Sequence, residues 1–185
     1  MANLFQEKLR NITLDDVKRI FDWRNQLFIR SKMFNSEEII WEEHLEWYNS
    51  LPNKSDRIAK VFSCNRVDYG VLNVSIINKE SGVCEWGFYI GDEHAPKGTG
   101  LLLGYTSLNY IFVDLELRKI CAQVIESNEI SQRFHEKLGF NLDGILRKHI
   151  KRDKHYEDVY VYSLFKDEWQ RKSKVIKVEL EERFK

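Results

Sequence analysis

The stretch Ile90-Gly-Asp-Glu-His-Ala-Pro-Lys-Gly-Thr-Gly100 lies between a β-like run and a long helical one. Its last two glycines, Gly98 and Gly100, stand one residue apart just ahead of the helix. Backbone N–H groups laid bare by such a pair converge on an anion, and the positive end of the helix dipole favours it. The pair is neither a full G-x-G-x-x-G nor a P-loop, so by itself it fits a phosphate cradle or a tight turn. The run before it, Glu85-Trp-Gly-Phe-Tyr-Ile90, alternates: Glu85, Gly87 and Tyr89 share one face, Trp86, Phe88 and Ile90 the other. If the second set fills the core, Glu85 and Tyr89 face a cleft. There a carboxylate can take a proton from an ammonium group, directly or through water. A solvent-facing strand end is the competing reading of Glu85.

These residues need elements to hold them. Residues 3–11 read as a short strand, and Thr13 with Asp16 as a capping box opening a helix that carries Leu14, Val17, Ile20 and Phe21. Ser36 reads as a second helix start, with Ile39, Ile40, His44, Trp47 and Leu51 as its stripe before Pro52. Residues 58–64, 67–78 and 82–91 read as three strands joined by tight turns. Leu101, Tyr105, Leu108, Phe112 and Leu115 then line a long helix. A strand over 119–126, a helix over 128–138 and strands over 140–149 and 155–165 complete the order β-α-α-β-β-β-α-β-α-β-β. Meanders in the first half and crossovers in the second imply a mixed sheet with helices on both faces, an α/β (α+β) architecture. We expect one domain over residues 1–170 and a tail over 171–185. From Lys172 that tail alternates apolar and charged residues, as an edge strand, a partner-binding tail or a frayed end would.

Composition narrows the classes. The chain has 185 residues, 29 basic and 29 acidic, which excludes a whole-protein basic field for nucleic acid. No apolar run approaches the roughly 18 to 20 residues needed to span a bilayer. The N-terminus lacks the pattern of a secretion signal, so a cytoplasmic protein is expected. Cys64, Cys84 and Cys121 read as buried reduced thiols, and no pair of them has metal-ligand spacing. No metal is expected.

The segment Asn128-Glu-Ile-Ser131-Gln-Arg-Phe134-His-Glu-Lys-Leu-Gly139-Phe140 follows the glycines by about thirty residues. Together the two motifs resemble the GCN5-related N-acetyltransferase superfamily over essentially residues 4–169. That family's acetyl-CoA loop reads Gln/Arg-x-x-Gly-x-Gly/Ala, and its later helix Asn-x-x-Ala/Ser-x-x-Phe/Leu-Tyr-x-x-x-Gly-Phe. The resemblance implies a seven-stranded, mostly antiparallel sheet with a splayed cleft that binds acetyl-CoA. By position it implies cofactor contacts from Phe88, Tyr89, Ile90, Lys97, Gly98, Thr99, Gly100, Asn128, Ser131, Phe134 and Lys137. Backbone N–H groups over 88–90 would polarise the thioester carbonyl. The Asn128 amide would pair with the pantetheine arm, or else cap its helix. Ala95 departs from the loop pattern, leaving one phosphate contact missing or supplied by Lys97. His135 departs from the tyrosine taken to protonate the leaving thiolate.

An imidazolium can do that work, since a thiol titrates at about 8.5, a histidine at about 6.5 and a phenol at about 10. It requires a neighbour such as Glu136 or Glu85 to hold the proton. The catalytic pair expected is therefore Glu85 as base and His135 as acid, with direct transfer and no covalent enzyme intermediate.

A narrower resemblance lies outside the cofactor motifs. Trp23-Arg24-Asn25, Met33-Phe34 and Ile40 with His44 and Trp47 look like the nucleotide-sugar acetyltransferases of the pseudaminic-acid pathway. So do Gly144-Ile-Leu-Arg-Lys-His149 and Tyr156-Glu-Asp-Val-Tyr-Val-Tyr-Ser-Leu. By position, Arg24, Met33, Phe34, His44 and Tyr89 would contact a UDP-linked 4-amino-4,6-dideoxy sugar. Ribosomal-protein N-terminal acetyltransferases share the second block, so a protein N-terminus is the alternative acceptor, and a non-catalytic acetyl-CoA-binding module the third reading. A homodimer is permitted.

Overall fold

Among the described residues, seven strands form one sheet in the order β1-β2-β3-β4-β5-β7-β6, in which only the β4–β5 pair is parallel. The computed structural model describes residues 6–152 and 154–184. The strands are β1 (Glu7–Asn11), β2 (Arg57–Cys64), β3 (Val67–Asn78), β4 (Val83–Ile90), β5 (Lys119–Ile125), β6 (Asn141–Arg152) and β7 (His155–Phe165). The helices are α1 (Leu14–Asn25), α2 (Leu27–Arg30), α3 (Trp41–Ser50), α4 (Thr99–Asn109), α5 (Glu129–Leu138) and α6 (Lys166–Arg183). The three meander strands fall where their alternation puts them. Asn65 and Arg66, both at positive φ, make the two-residue hairpin turn between β2 and β3. Residues 3–5 of the expected first strand lie outside the described residues. Cys64 and Cys84 are buried thiols, and Cys121 is half-buried and free. Among the described residues no helix is long and apolar enough to cross a membrane.

The larger core lies between the sheet and α4, α5 and α6. It includes Phe62, Leu72, Trp86, Leu102, Leu108, Ile120, Phe140 and Trp169. On the opposite face Ile20 and Trp23 of α1 pack on Val61 and Val71. Burying such side chains stabilises each face by about 1.5–3 kcal/mol per residue. The start of α1 is tied down by Asp16, whose carboxylate accepts from the Thr13 N–H at 2.8 Å and pairs with Arg10 and Arg19 at 2.6 Å. Arg10 and Arg19 both reach on to Asp68 of β3, which locks helix to sheet.

Two expectations about elements need correction. The helix expected from Ser36 begins at Trp41, because side chains occupy the backbone ahead of it. Asn25 bonds both the N–H and the C=O of Ile39 at 3.0 Å, and Arg30 donates to the Ser36 carbonyl at 2.8 Å. That keeps residues 36–39 out of the helix and lets Leu27–Arg30 form a separate short turn of helix. The closing segment is no strand or frayed end: it is the 18-residue α6. Its strand-like alternation is overridden by Trp169, Ile176 and Leu180, which recur at helical spacing and are buried. Trp169 Nε1 also donates to Asn109 of α4 at 2.9 Å. The tail thus joins the core of the same domain.

Candidate active site

Strand β4 is the axis of the site. It pairs with β5 over only three residues, from Val83↔Lys119 to Glu85↔Cys121. Beyond Glu85 the two strands part, and a cleft of about 740 Å³ opens between them. As the alternation predicts, Trp86 is buried in the large core with Phe88 and Ile90 packed against it. Glu85, Gly87 and Tyr89 stand on the α1 side.

On the cofactor side Phe88, Tyr89, Ile90, Gly100, Asn128, Ser131, Phe134 and His135 all line the cleft. The two glycines have different reasons to be there. Gly98 sits at φ 100° as the cap of α4, and a Cβ on it would come within 2.4 Å of Arg183. A Cβ on Gly100 would meet nothing within 4 Å, so its bare backbone faces the open cleft. Lys97, Gly98 and Thr99 do not line the cavity; Thr99 is buried and its hydroxyl donates to the Pro96 carbonyl at 2.7 Å. Lys137 points elsewhere, pairing with Glu179 of α6 at 2.6 Å. Asn128 Oδ1 accepts from the Ser131 N–H at 3.2 Å and caps α5 while the residue lines the cleft. Trp86 lines the same cleft, and its buried Nε1 has no partner among the described residues. An amide-rich arm bounded by phosphates fits this lining: a bare helix start for its anion, and indole and amide donors along its length.

His135 is enclosed by rings. Phe140 lies 5.0 Å away, Trp86 5.7 Å, Tyr162 5.8 Å and Phe88 6.0 Å. Burial pulls its pKa down to about 4, against a smaller opposing effect of its hydrogen bond to Ser131. Neither carboxylate expected to hold its proton does so: Glu136 accepts from Tyr162 at 3.4 Å, and Glu85 from Gln123 Nε2 at 3.0 Å. At neutral pH the ring is therefore uncharged. Its Nδ1–H donates to the Ser131 carbonyl at 2.7 Å, which leaves Nε2 as a lone-pair acceptor. The imidazolium donor expected from sequence is corrected accordingly.

On the acceptor side a second cavity, of about 400 Å³, lies beneath α1 and α3 and holds Arg24, Met33, His44 and Tyr89. Met33 and Tyr89 also border the cleft, so the two spaces adjoin; Phe34 lines the cleft alone. Arg152 donates to the Met33 carbonyl and ties that loop to the β6–β7 hairpin. Burial lowers the Arg24 pKa while Tyr89 opposes the shift. Arg24 Nη2 donates to the Asn35 carbonyl at 3.0 Å, and its buried Nη1 has no partner among the described residues. His44 is buried and uncharged by desolvation, its Nε2 bonded to the Val17 carbonyl at 3.0 Å. It wedges α3 against α1 and stacks on Trp47, 5.1 Å away at 27°. Tyr89 is pushed above the usual phenol range by burial, with Arg24 opposing.

Sequence reasoning missed Asn73 and Ser75, which pair across β3 with Gly87 and Glu85 and border both spaces. It also missed Gln123, the partner of Glu85. Only the strand register could have found them. Among the described residues no cluster of His, Cys, Asp or Glu is suited to a metal ion.

A sheet that parts beside its central strand, with a bare helix start at the gap and a second cavity adjoining it, suits an acyl-CoA-dependent acyltransferase. The acetyltransferase (GNAT) domain matches residues 8–141, and the chain belongs to that family; it is an acetyl-CoA-dependent N-acetyltransferase. It is 29% identical over 120 residues to the uncharacterized N-acetyltransferase p20 of Bacillus licheniformis, covering 65% of this chain and 67% of that one. Acetyltransferase PseH of Campylobacter jejuni is 26% identical over 138 residues, 73% of this chain and 85% of its own. Among solved structures, spermidine N-acetyltransferase from Vibrio cholerae, in complex with CoA and spermine, matches with TM-score 0.83 and 25% identity. That match covers 89% of this chain and 98% of the other.

Proposed function

We propose that the enzyme acetylates the amino group of a UDP-linked 4-amino-4,6-dideoxy sugar. Arg24, which lines the acceptor cavity and has a buried Nη1 without a partner among the described residues, carries this reading. A guanidinium with a free donor seeks an anionic oxygen, and a diphosphate supplies it. Arg57 lines the same cavity, with Glu43 as its acidic lining residue. A polyamine offers Arg24 no anion and brings only like charge. The stacked His44 and Trp47 rings supply a flat platform of the kind on which bases stack. His44 then acts by holding that platform, its polar nitrogen already engaged by Val17.

In this reading the helix start at Gly100, the Asn128 amide and the backbone of 88–90 hold acetyl-CoA. Glu85, oriented by Gln123, takes the first proton from the substrate ammonium. The free amine attacks the acetyl carbon and the C–S bond breaks. His135 Nε2 takes the second nitrogen proton and hands it to the sulfur, so the imidazole begins and ends neutral. We expect the enzyme to act in the cytoplasm, beside both reactants.

The test is thiol release from acetyl-CoA with a panel of UDP-amino sugars, spermidine and N-terminal peptides. Turnover at least 100-fold more efficient with a UDP-amino sugar supports the reading. A preference for spermidine or for peptides overturns it.

A further inference from the structure

Gly87 is a mid-strand glycine in the fourth of seven strands, and it is solvent-exposed between Glu85 and Tyr89. Its φ is not in the left-handed region, so its backbone does not demand glycine. A Cβ built on it meets no atom within 4 Å, so no neighbour in the chain demands glycine either. Any larger residue would suit a strand better, and an interior strand glycine marks a place where something else comes close. Gly87 borders both the acceptor cavity and the cofactor cleft, facing Asn73 across the sheet.

We propose that Gly87 is a specificity-determining residue whose missing side chain is the aperture through which the acceptor nitrogen reaches the acyl carbon. There the amine lone pair forms the new C–N bond, the C–S electron pair leaves with sulfur, and the displaced N–H proton ends on that sulfur. The width of the opening admits an amine borne on a branched ring carbon. A methyl or isopropyl group at position 87 narrows it, so bulky amines are lost before slim ones. This rests on the acetyltransferase assignment and sharpens the amino-sugar reading.

The test uses the full chain with Gly87→Ala and Gly87→Val. Thermal midpoints are expected to hold or rise, and calorimetric affinity for CoA to stay within twofold. Affinity for a bisubstrate mimic, CoA–S–CH2–CO–NH–cyclohexyl, is expected to fall about tenfold in Gly87→Ala and 100-fold in Gly87→Val. On whichever amine the wild type acetylates, kcat/KM is expected to fall in the same order. Equal affinity of all three proteins for the mimic overturns the proposal, as does a drop in CoA affinity of the same size, or unfolding of both variants. If the wild type prefers a peptide or spermidine, the amino-sugar reading fails while the mimic still decides the aperture.

Discussion

The cofactor side of β4 offers backbone at Gly100, the bare start of α4, beside side chains from β4, β5 and α5. The acceptor side is made of side chains drawn from α1, the α2–α3 connection, α3, β2 and β3. Backbone recognition tolerates sequence change, because an N–H donates whatever side chain it carries, and such a site serves one ligand across many relatives. Side-chain recognition is specific to the residue and to its partners. Variants in the two halves should therefore separate acetyl-CoA affinity from the choice of acceptor.

Variants can break or sharpen that contrast. The largest effect is expected at the seam between the halves. His135→Phe should lower kcat by about 100-fold while acetyl-CoA affinity by calorimetry stays near wild type. His135→Tyr should retain much of the activity, since a phenol can also pass a proton. Burial gives His135 a second signature in stability. Its folded pKa of about 4 lies below the ordinary value of 6.5. The unfolded chain therefore binds the proton more readily, so the contribution is complete above pH 6.5 and lost as pH falls toward 4. Its size is roughly 3 kcal/mol. Chemical denaturation at pH 7.5 and 4.5 should show that slope in the wild type and a shallower one in His135→Phe.

Next, Arg24→Met should reduce kcat/KM for a UDP-amino sugar about 30-fold, the worth of one charge-assisted hydrogen bond. Acetyl-CoA affinity should not move. Equal losses for UDP-amino sugar and spermidine would show that Arg24 reads no anion. Gly100→Val should weaken acetyl-CoA about tenfold in a normally folded protein, since its side chain enters only the cleft. Gly98→Ala should instead lower the thermal midpoint, by the equivalent of about 1–2 kcal/mol, through the strain of its left-handed backbone. The smallest effect is expected at Lys137. Its bridge to Glu179 is partly exposed, so Lys137→Ala should cost under about 1 kcal/mol and leave acetyl-CoA affinity unchanged.

The same contrast runs through what could be read before the fold was known. β3 spans 67–78 as its residue types predict, and the β4 alternation put Trp86 in the core, while Glu85, expected at the acceptor cavity, lines the cofactor cleft instead. The glycine loop and the Asn128 helix were legible because a turn, a cap and a strand period are properties of neighbouring residues. Ser36 misled because Arg30 claimed its carbonyl and Asn25 the backbone of Ile39, both from more than five residues away. The closing segment misled because both a two-residue and a helical period were present, and only the surface offered by α4 decides between them. Lys137 was assigned to the cofactor by its place in a motif, yet α6 offered it a carboxylate.

From the order of its residues alone the chain determined its strands, the hairpin between β2 and β3, the glycine-started helix and hence the acetyl-CoA-binding half of the enzyme. Only the tertiary structure decided that His135 is uncharged, that Arg24 keeps a donor without a partner among the described residues and that Gly87 borders two cavities. Each of these is a sum over atoms distant in sequence. Desolvation depends on every ring that closes around the imidazole. A spare hydrogen bond is defined by what fails to reach it, and an opening by the walls that surround it.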